Sequence, residues 1–458
     1  MDEFFDFVIE KYSWLIDSYM TRYFVDDLWS KLPVSWQLAL QNIEPEECTC
    51  LVNASAPSQR IVLPLALLCL KTLVASLPPR EAVTSPAAVA RSCGIEVETP
   101  QDFHNITSAN NLRTKLKPKK QYEIDRIVTT VELLRRRNPG TSFNTVIDIG
   151  AGMGHLARIL SACVPECNVI AVEQNEELIE RSVLLNDRLQ RIKNGFRLPE
   201  HYCESVQSGF SGSVLRSLNE GQRALLIGLH PCGDLSASIL RIFTRSPKVT
   251  TMILFGCCYH KLSTVEEEAS CSQADSGELG FPLSAKYRWK RLSYAARDLA
   301  CHGVETFAEQ LLTKPHSAYR MQCYRAVLES LITQSHDEEI CKQRSSIVVH
   351  SVVGRDGITF EEYMRPALAK YPEIVEALEE QLKHDEESRR IIASVDSEWR
   401  RFLVVHCLRL ILAPIVEQII IKDRVQYLEE CGHSVAVVPL FDPKISPRNF
   451  AIIAMKDS

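Results

Sequence analysis

Short apolar runs without polar alternation recur along the middle of the chain and define its predicted sheet. They cover residues 146–149, 169–172, 224–230 and 251–256. Strands buried on both faces of a parallel sheet have this pattern. A weaker strand candidate lies at 201–206. Two late apolar runs, 434–440 and 450–455, are separated by two proline-containing turns, and we expect them to form an antiparallel hairpin that closes the sheet.

Segments with helical periodicity lie between these apolar runs and make up most of the rest of the chain. Helices are predicted over 63–77, 121–137, 156–163 and 413–430, the last ending at Gly432, a usual helix stop. The first 43 residues are rich in aromatic side chains at helical spacing, which favours core packing over the alternative of stacking on RNA bases.

The order of these elements predicts an α/β protein with a parallel sheet, an antiparallel last strand and helical additions. The expected domains are a helical N-terminal domain (1–112), the first part of a core (113–262), a helical insertion (263–400) and the closing helix and hairpin of the core (401–458). The polar insertion is either a solvated cap or a lid that recognises substrate.

Composition narrows the class of protein. The chain has 458 residues and a net charge of −6, which argues against a generally basic nucleic-acid binder but leaves room for a local basic groove. Its 16 cysteines include no C-x-x-C pair, so we expect no metal site and buried free thiols in a reducing compartment, cytoplasmic or nuclear.

The start of the sequence lacks the basic residues of a signal peptide. Charges within the apolar stretches 61–77 and 402–421 predict buried helices and no membrane partner.

A glycine-rich turn follows the first predicted strand. Asp148 precedes Gly150, Gly152 and Gly154, and a helix is predicted directly after them. Such a turn lets a ligand lie against the backbone, and the helix start attracts an anionic group. Glu173 ends the second strand 23 residues after Gly150, near the spacing at which an acid reaches ribose hydroxyls. An NAD enzyme is the competing interpretation, but the third glycine comes one residue early.

Polar clusters follow predicted strands four and five. They comprise His230, Pro231, Cys232, Asp234, Cys257, Cys258, Tyr259 and His260. Ligands of open α/β sheets bind beyond the carboxyl ends of the strands, so both clusters should face one cleft. We expect His230 to be a general base oriented by Asp234, with His260 as a further catalytic candidate. The proline, the cysteines and the tyrosine would line the substrate pocket; structural histidines and inert thiols are the alternative.

Three further residues are candidates for cofactor binding. Lys119 and Lys120 open the helix before the first strand and could hold a cofactor carboxylate or an RNA phosphate, or could be a solvated helix start. Glu204 lies in the weak third strand candidate and is also expected to contact the cofactor.

The glycine turn resembles the first motif of class I S-adenosylmethionine-dependent methyltransferases. The resemblance implies that Asp148 and the three glycines lie at the methionine end of the cofactor and that Glu173 binds its ribose. More specific motifs resemble the methyltransferase-like 25 family, in particular its branch named ribosomal RNA adenine dimethylase domain-containing protein. They are D-I-G-A-G-M-G-H-L, G-L-H-P-C-G-D-L-S, G-C-C-Y-H-K-L-S, G-F-P-L-S, C-Y-R-A-V-L-E, K-P-K-K-Q-Y-E-I and S-P-R-N-F. Two shorter patterns lie within these motifs, H-x-C-G in the second and C-C-x-H in the third. They are distantly similar to motifs of a tRNA ribose 2′-O-methyltransferase family.

One departure from known enzymes bears on the acceptor. Methyltransferases of exocyclic base amines carry an Asn/Asp-Pro-Pro-aromatic motif after strand four, where this chain has Leu229-His230-Pro231-Cys232. A hydroxyl or another nucleophile that gives its proton to a histidine fits better. The resemblance therefore implies an RNA methyltransferase, with a protein methyltransferase and an inactive cofactor-binding scaffold as the alternatives.

Overall fold

The computed structural model describes the chain except for residues 1, 54–60, 104–115, 137–142, 193–196, 207–212, 266–277, 345 and 457–458. Its contacts divide the chain into two compact units. One unit combines Met1–Leu77 with Val304–Ile415, and the other combines Pro78–Gly303 with Val416–Ser458. We refer to them as the helical unit and the sheet unit.

The sheet unit contains a seven-stranded sheet with the order β3-β2-β1-β4-β5-β7-β6. Its strands are β1 Thr145–Ile149, β2 Asn168–Glu173, β3 Glu200–Cys203, β4 Ala224–Cys232, β5 Val249–Cys257, β6 Ser434–Pro439 and β7 Phe450–Met455. All neighbouring pairs are parallel except those that β7 makes with β5 and β6. The predicted α/β fold with an antiparallel last strand is confirmed.

Apolar side chains of the sheet alternate between two buried clusters, one on each face. Val146 packs with Ile127 and other side chains of the helix before β1, whereas Ile147 packs on the opposite face with Ile239. This double burial explains why the parallel strands read as continuous apolar runs. Because side chains alternate along a strand, Asp148 points to the same face as Val146.

Helices flank this sheet in the sheet unit. They are α5 Pro86–Ser92, α6 Pro118–Arg136, α7 His155–Cys163, α8 Glu176–Ile192, α9 Ser213–Ser217, α10 Asp234–Arg245 and α11 Tyr294–Leu299, with a 3₁₀ turn at Tyr259–Lys261. The helix Ala413–Glu430, which we number α18, belongs mostly to this unit.

The helical unit has helices from both of its chain segments. They are α1 Asp2–Ile16, α2 Val34–Leu40, α3 Thr49–Val52, α4 Leu65–Ala75, α12 Val304–Thr313, α13 His316–Gln334, α14 Glu338–Gln343, α15 Phe360–Ala367, α16 Pro372–His384 and α17 Glu386–Leu410, with a 3₁₀ turn at Met20–Arg22. Tyr23 binds the segments together, since its hydroxyl donates to Glu398 at 2.9 Å and its ring lies 5.4 Å from that of Phe402. Early aromatics such as Trp36 are buried in this core, although Phe7 is 57% exposed.

The unit boundaries at 77, 303 and 415 differ from the predicted domain boundaries at 112, 262 and 400. The N-terminal helices and most of the predicted insertion share one apolar core, which sequence order conceals. Residues 280–303 remain with the sheet unit, partly because buried Asp423 of α18 accepts the backbone N–H groups of Leu283 and Ser284.

One helical stretch, Glu386–Glu430, is long and apolar enough to cross a membrane by length and composition. Within it, 89% of the most apolar window is buried in the structure. Core helices of folded domains pass the same test, and the predicted burial of 402–421 is observed at Phe402, Val405 and Ile420.

Candidate functional site

The glycine turn joins β1 to α7 through left-handed backbone. Gly150, Gly152 and Gly154 have φ of +74°, +55° and +64°, which explains why glycine occupies all three positions. A Cβ at Gly152 would meet no described atom within 4 Å, whereas one at Gly154 would lie 2.4 Å from Ser182 Oγ. Gly154 is therefore required by packing against α8, and Gly152 borders open space that a ligand could fill.

Glu173 connects the end of β2 to this turn. One carboxylate oxygen accepts the Gly152 N–H at 2.9 Å, and the other accepts the N–H groups of Gln174 and Asn175 at 3.0 Å each. The Glu173 carboxylate thus lies against the glycine turn, as expected for the cofactor-binding acid that the sequence predicts.

Glu204 follows β3 beside Glu173. Its backbone N–H donates to the Glu173 carbonyl at 3.0 Å. Its carboxylate, however, accepts the backbone N–H and the hydroxyl of Ser213 at 3.1 and 2.8 Å. The side chain therefore supports the start of α9, and its predicted cofactor role would require it to leave Ser213.

Asp148 is a fully buried acid at the end of β1. Burial raises its pKa to about 7, although Lys120 and the Ala157 N–H act in the opposite direction. Its Oδ2 has no hydrogen-bond partner within the described part of the chain. A buried oxygen of this kind is costly unless a ligand satisfies it, so Asp148 fits its predicted place beside a cofactor.

His230 forms the second feature of the site together with Glu123, a residue that sequence reasoning missed. His230 Nε2 lies 2.8 Å from Glu123 Oε1, and Ser446 Oγ donates to the same carboxylate at 2.7 Å. His230 has φ of +62°, rare for a non-glycine residue, at an irregularity in the β4–β5 register. Backbone strain of this kind is often found at functional sites.

The charge on Glu123 is maintained despite burial. Its side chain is 1% exposed, and burial acts to raise its pKa, but His230, Ser446 and Lys120 together hold the pKa below its usual value. A sequence signal existed, because Glu123 lies on the apolar face of α6 beside Ile124. An acid on a buried face requires a partner, although the pattern does not say which.

The two predicted lysines lie next to this carboxylate. Lys119 Nζ is 3.8 Å from Glu123 Oε1 and Lys120 Nζ is 4.0 Å from Oε2. Burial lowers the pKa of Lys120, while Glu123 and Asp148 oppose this effect. Lys120 therefore interacts both with Glu123, the partner of His230, and with Asp148 before the glycine turn. Lys119 is half exposed.

Two predicted catalytic residues have other contacts. Asp234 accepts the Ser263 N–H at 2.8 Å, so the carboxylate that orients His230 is Glu123 and not Asp234. Sequence proximity was misleading here because α10 begins at Asp234 and directs the residue towards the following loop. His260 Nδ1 lies 3.6 Å from Cys301 Sγ, and its ring is 5.9 Å from the Tyr294 ring.

Three predicted pocket cysteines converge at the ends of β4 and β5. Cys232 Sγ lies 3.2 Å from Cys258 Sγ and 3.5 Å from Cys257 Sγ, and the last two sulfurs are 3.7 Å apart. Burial is the largest of the effects that raise the pKa of the Cys257 and Cys258 thiols. Pro231 and Tyr259 are buried beside them, so Cys232 and Cys258 are the more accessible members of the predicted pocket.

A surface with interleaved basic and aromatic residues lies before α11. We call Lys286, Arg288, Trp289, Arg291 and Tyr294 the basic–aromatic surface; all five are exposed, Trp289 by 58% and Tyr294 by 49%. Its Tyr294 is the residue that contacts His260. This segment was not among the sequence-based predictions, although its letters K-Y-R-W-K-R show interleaved basic and aromatic residues.

Comparisons with known proteins agree with this geometry. Residues 119–265 match the family described as Methyltransferase domain. A mouse protein named probable methyltransferase-like protein 25 is 31% identical over 236 residues, which are 51% of this chain and 37% of that protein. The human protein of the same name is 30% identical over the same shares. The match thus spans just over a third of the length of these relatives.

Solved structures include a magnesium protoporphyrin IX methyltransferase from Synechocystis PCC 6803 with bound SAH. It is 15% identical, covers 37% of this chain and 65% of its own, and has a TM-score of 0.21. The likeness in residues 119–265 is therefore to a methyltransferase domain, a class of domain that uses S-adenosylmethionine as its methyl donor.

Proposed function

We propose that this protein methylates RNA with S-adenosylmethionine as the donor, and that His230 is the base which accepts the proton of the acceptor. Three features of the glycine turn fit the cofactor: the open space at Gly152, the Asp148 oxygen that has no partner among the described residues, and the adjacent carboxylate of Glu173. These residues would hold the methionine end and the ribose of the cofactor.

The observation that carries the mechanism is the His230–Glu123 contact. The cofactor supplies a methyl group that is already activated, so the protein has to align the acceptor and take its proton. A neutral His230 can accept that proton, and the buried Glu123 carboxylate at 2.8 Å would stabilise the resulting imidazolium. The missing base-amine motif favours a hydroxyl as the acceptor.

RNA is favoured over protein by the basic–aromatic surface. Exposed Arg288 and Arg291 can contact phosphates, and exposed Trp289 and Tyr294 offer faces on which unpaired bases stack. The Tyr294–His260 contact places this surface beside the loop that follows β5. The overall charge of −6 does not oppose a local basic surface. A cytoplasmic or nuclear location is part of the same proposal.

Labelled cofactor distinguishes the candidate acceptors. The purified protein is incubated with radiolabelled S-adenosylmethionine and with separate RNA and protein fractions. Label in RNA supports the proposal, label in protein alone points to a protein methyltransferase, and cofactor binding without transfer to either points to a scaffold.

Substitutions at the base test the mechanism. His230→Asn and Glu123→Gln should lower kcat by about 10²- to 10⁴-fold, with cofactor affinity little changed in calorimetry. His384→Asn is the matched control, since this histidine lies on the exposed surface of α16 in the helical unit. Normal turnover in His230→Asn would disprove the assignment of the base.

The RNA surface is tested by salt dependence. Replacing Arg288 and Arg291 by Ala should flatten the salt dependence of single-stranded RNA binding by about 0.7 per lost phosphate contact. The control replaces Lys342 and Arg344, two exposed basic residues of the helical unit, by Ala. Equal slopes in both double variants would contradict a role for this surface.

A further inference from the structure

We propose that Cys232, Cys257 and Cys258 bind a zinc ion and leave one coordination position open at the acceptor end of the sheet. The absence of C-x-x-C pairs predicted no metal site, but the fold brings together thiols that are 25 residues apart in sequence. The three sulfurs lie 3.2–3.7 Å from one another, and each thiol can offer one ligand atom to the same ion.

The distances suit tetrahedral zinc. A Zn–S bond of about 2.3 Å places two sulfurs of a tetrahedral site about 3.8 Å apart. The observed separations of 3.2–3.7 Å are shorter by about 0.1–0.6 Å, so the ion would require the side chains to move apart by these amounts. A disulfide would join only two of the three sulfurs, and it would leave the third without a role.

The backbone is shaped to bring these sulfurs to one point. Cys232 and Cys257 are direct partners in the β4–β5 register. Consecutive residues of a strand point to opposite faces, so Cys258 would normally point away from Cys257. Instead Cys258 has φ of +47°, a left-handed conformation uncommon outside glycine, and this turn brings its sulfur back to the cluster.

Access and charge also fit a metal site. Cys232 is exposed and Cys258 is half-buried, which gives the ion a route from solvent. The ammonium groups of Lys261 and Lys120 interact electrostatically with the Cys258 and Cys257 thiols, respectively. These cations would offset the excess negative charge of three thiolates around Zn²⁺.

Three protein ligands and one open position are the usual arrangement of catalytic zinc. The Cys257 thiol donates to the backbone carbonyl of His230 at 3.2 Å, so the fourth position would lie close to the residue proposed as the base. The ion could hold water or an acceptor atom there. Zinc binding itself does not depend on the proposed methyltransferase activity, because it is measured without turnover.

The experiment uses the full chain, purified under reducing conditions and analysed for metal by mass spectrometry before and after addition of Zn²⁺. We expect about one zinc per chain, bound at least about 100-fold more weakly in Cys232→Ser and Cys258→Ser. Cys341→Ser, at an exposed cysteine of the helical unit, is the control and should bind like the unaltered protein. Circular dichroism confirms that each variant is folded.

Cobalt gives a readout on the unaltered protein that does not depend on the folding of any variant. Co²⁺ added to the full chain should produce a thiolate charge-transfer band in the near ultraviolet, which Zn²⁺ should abolish. The proposal is overturned if no such band appears, if zinc affinity is the same in Cys232→Ser as in the control, or if peptide mapping finds a Cys232–Cys258 disulfide in the reduced preparation.

Discussion

Replacing Asp148 by Asn should show that the buried carboxyl lowers the stability of the folded protein and is present because it binds a ligand. The carboxyl has a usual pKa of 3.8, and burial in the folded protein raises it to about 7. Between these two pH values the folded state keeps a proton that the unfolded state has lost. The free energy of unfolding therefore falls as the pH rises from about 4 to about 7, and the full cost is present above that range.

The magnitude follows from the difference between the two pKa values. A difference of about 3 pKa units at about 1.4 kcal/mol per unit gives a cost of about 4 kcal/mol near pH 8. Near pH 5, where the unfolded carboxyl is ionised and the folded one is not, the same relation gives about 2 kcal/mol. Asn removes this pH-dependent cost, although its amide nitrogen also lacks a partner and adds a constant penalty of about 1–3 kcal/mol.

The assay compares urea midpoints of Asp148→Asn and the unaltered protein near pH 5 and near pH 8. Relative to the unaltered protein, the variant should gain about 2 kcal/mol between these conditions, with Asp187→Asn, at an exposed acid of α8, as the matched control. Calorimetry should show weaker cofactor binding by Asp148→Asn. A stability difference that is equal at both pH values would refute the reasoning, because the folded carboxyl would then titrate like the unfolded one.

Four further substitutions probe the same site. Gly154→Ala should lower the melting temperature, because its Cβ would lie 2.4 Å from Ser182 Oγ, and it should cost about 1–3 kcal/mol. Gly152→Asp should leave the protein folded but abolish cofactor binding in calorimetry, since the carboxylate would fill the open space. Glu173→Ala should weaken cofactor binding by about 1–3 kcal/mol, and unchanged affinity would remove it from the ribose site. Ser446→Ala should raise the pKa of Glu123 and lower stability in urea by about 1.5–3 kcal/mol, as expected for a hydrogen bond to a charged group.

The parts of the site that the sequence predicts are those built from neighbouring residues. The glycine turn and Glu173 were found because a strand, a tight turn and a helix leave a local pattern. Glu123 was missed because its partner His230 is 107 residues away, and an acid on an apolar helix face does not identify its partner. The sequence predicts that Cys232, Cys257 and Cys258 share one pocket, but it does not indicate that their sulfurs lie within reach of a single ion. Spacing rules detect ligands on one loop and not ligands that two parallel strands bring together.

The Glu123 carboxylate also sets an order of assembly during protein synthesis. It accepts from Ser446, which is translated 323 residues after it. At about 5–20 residues per second, the ribosome needs about 15–65 seconds to reach that serine after it has made α6. His230 is translated 107 residues after Glu123. For most of this interval the segments that carry the glycine turn and His230 have therefore been synthesised, whereas Ser446, which donates a hydrogen bond to the acid, has not. A nascent chain could therefore form the glycine turn well before Ser446 completes the hydrogen bonds of Glu123, the carboxylate that contacts His230.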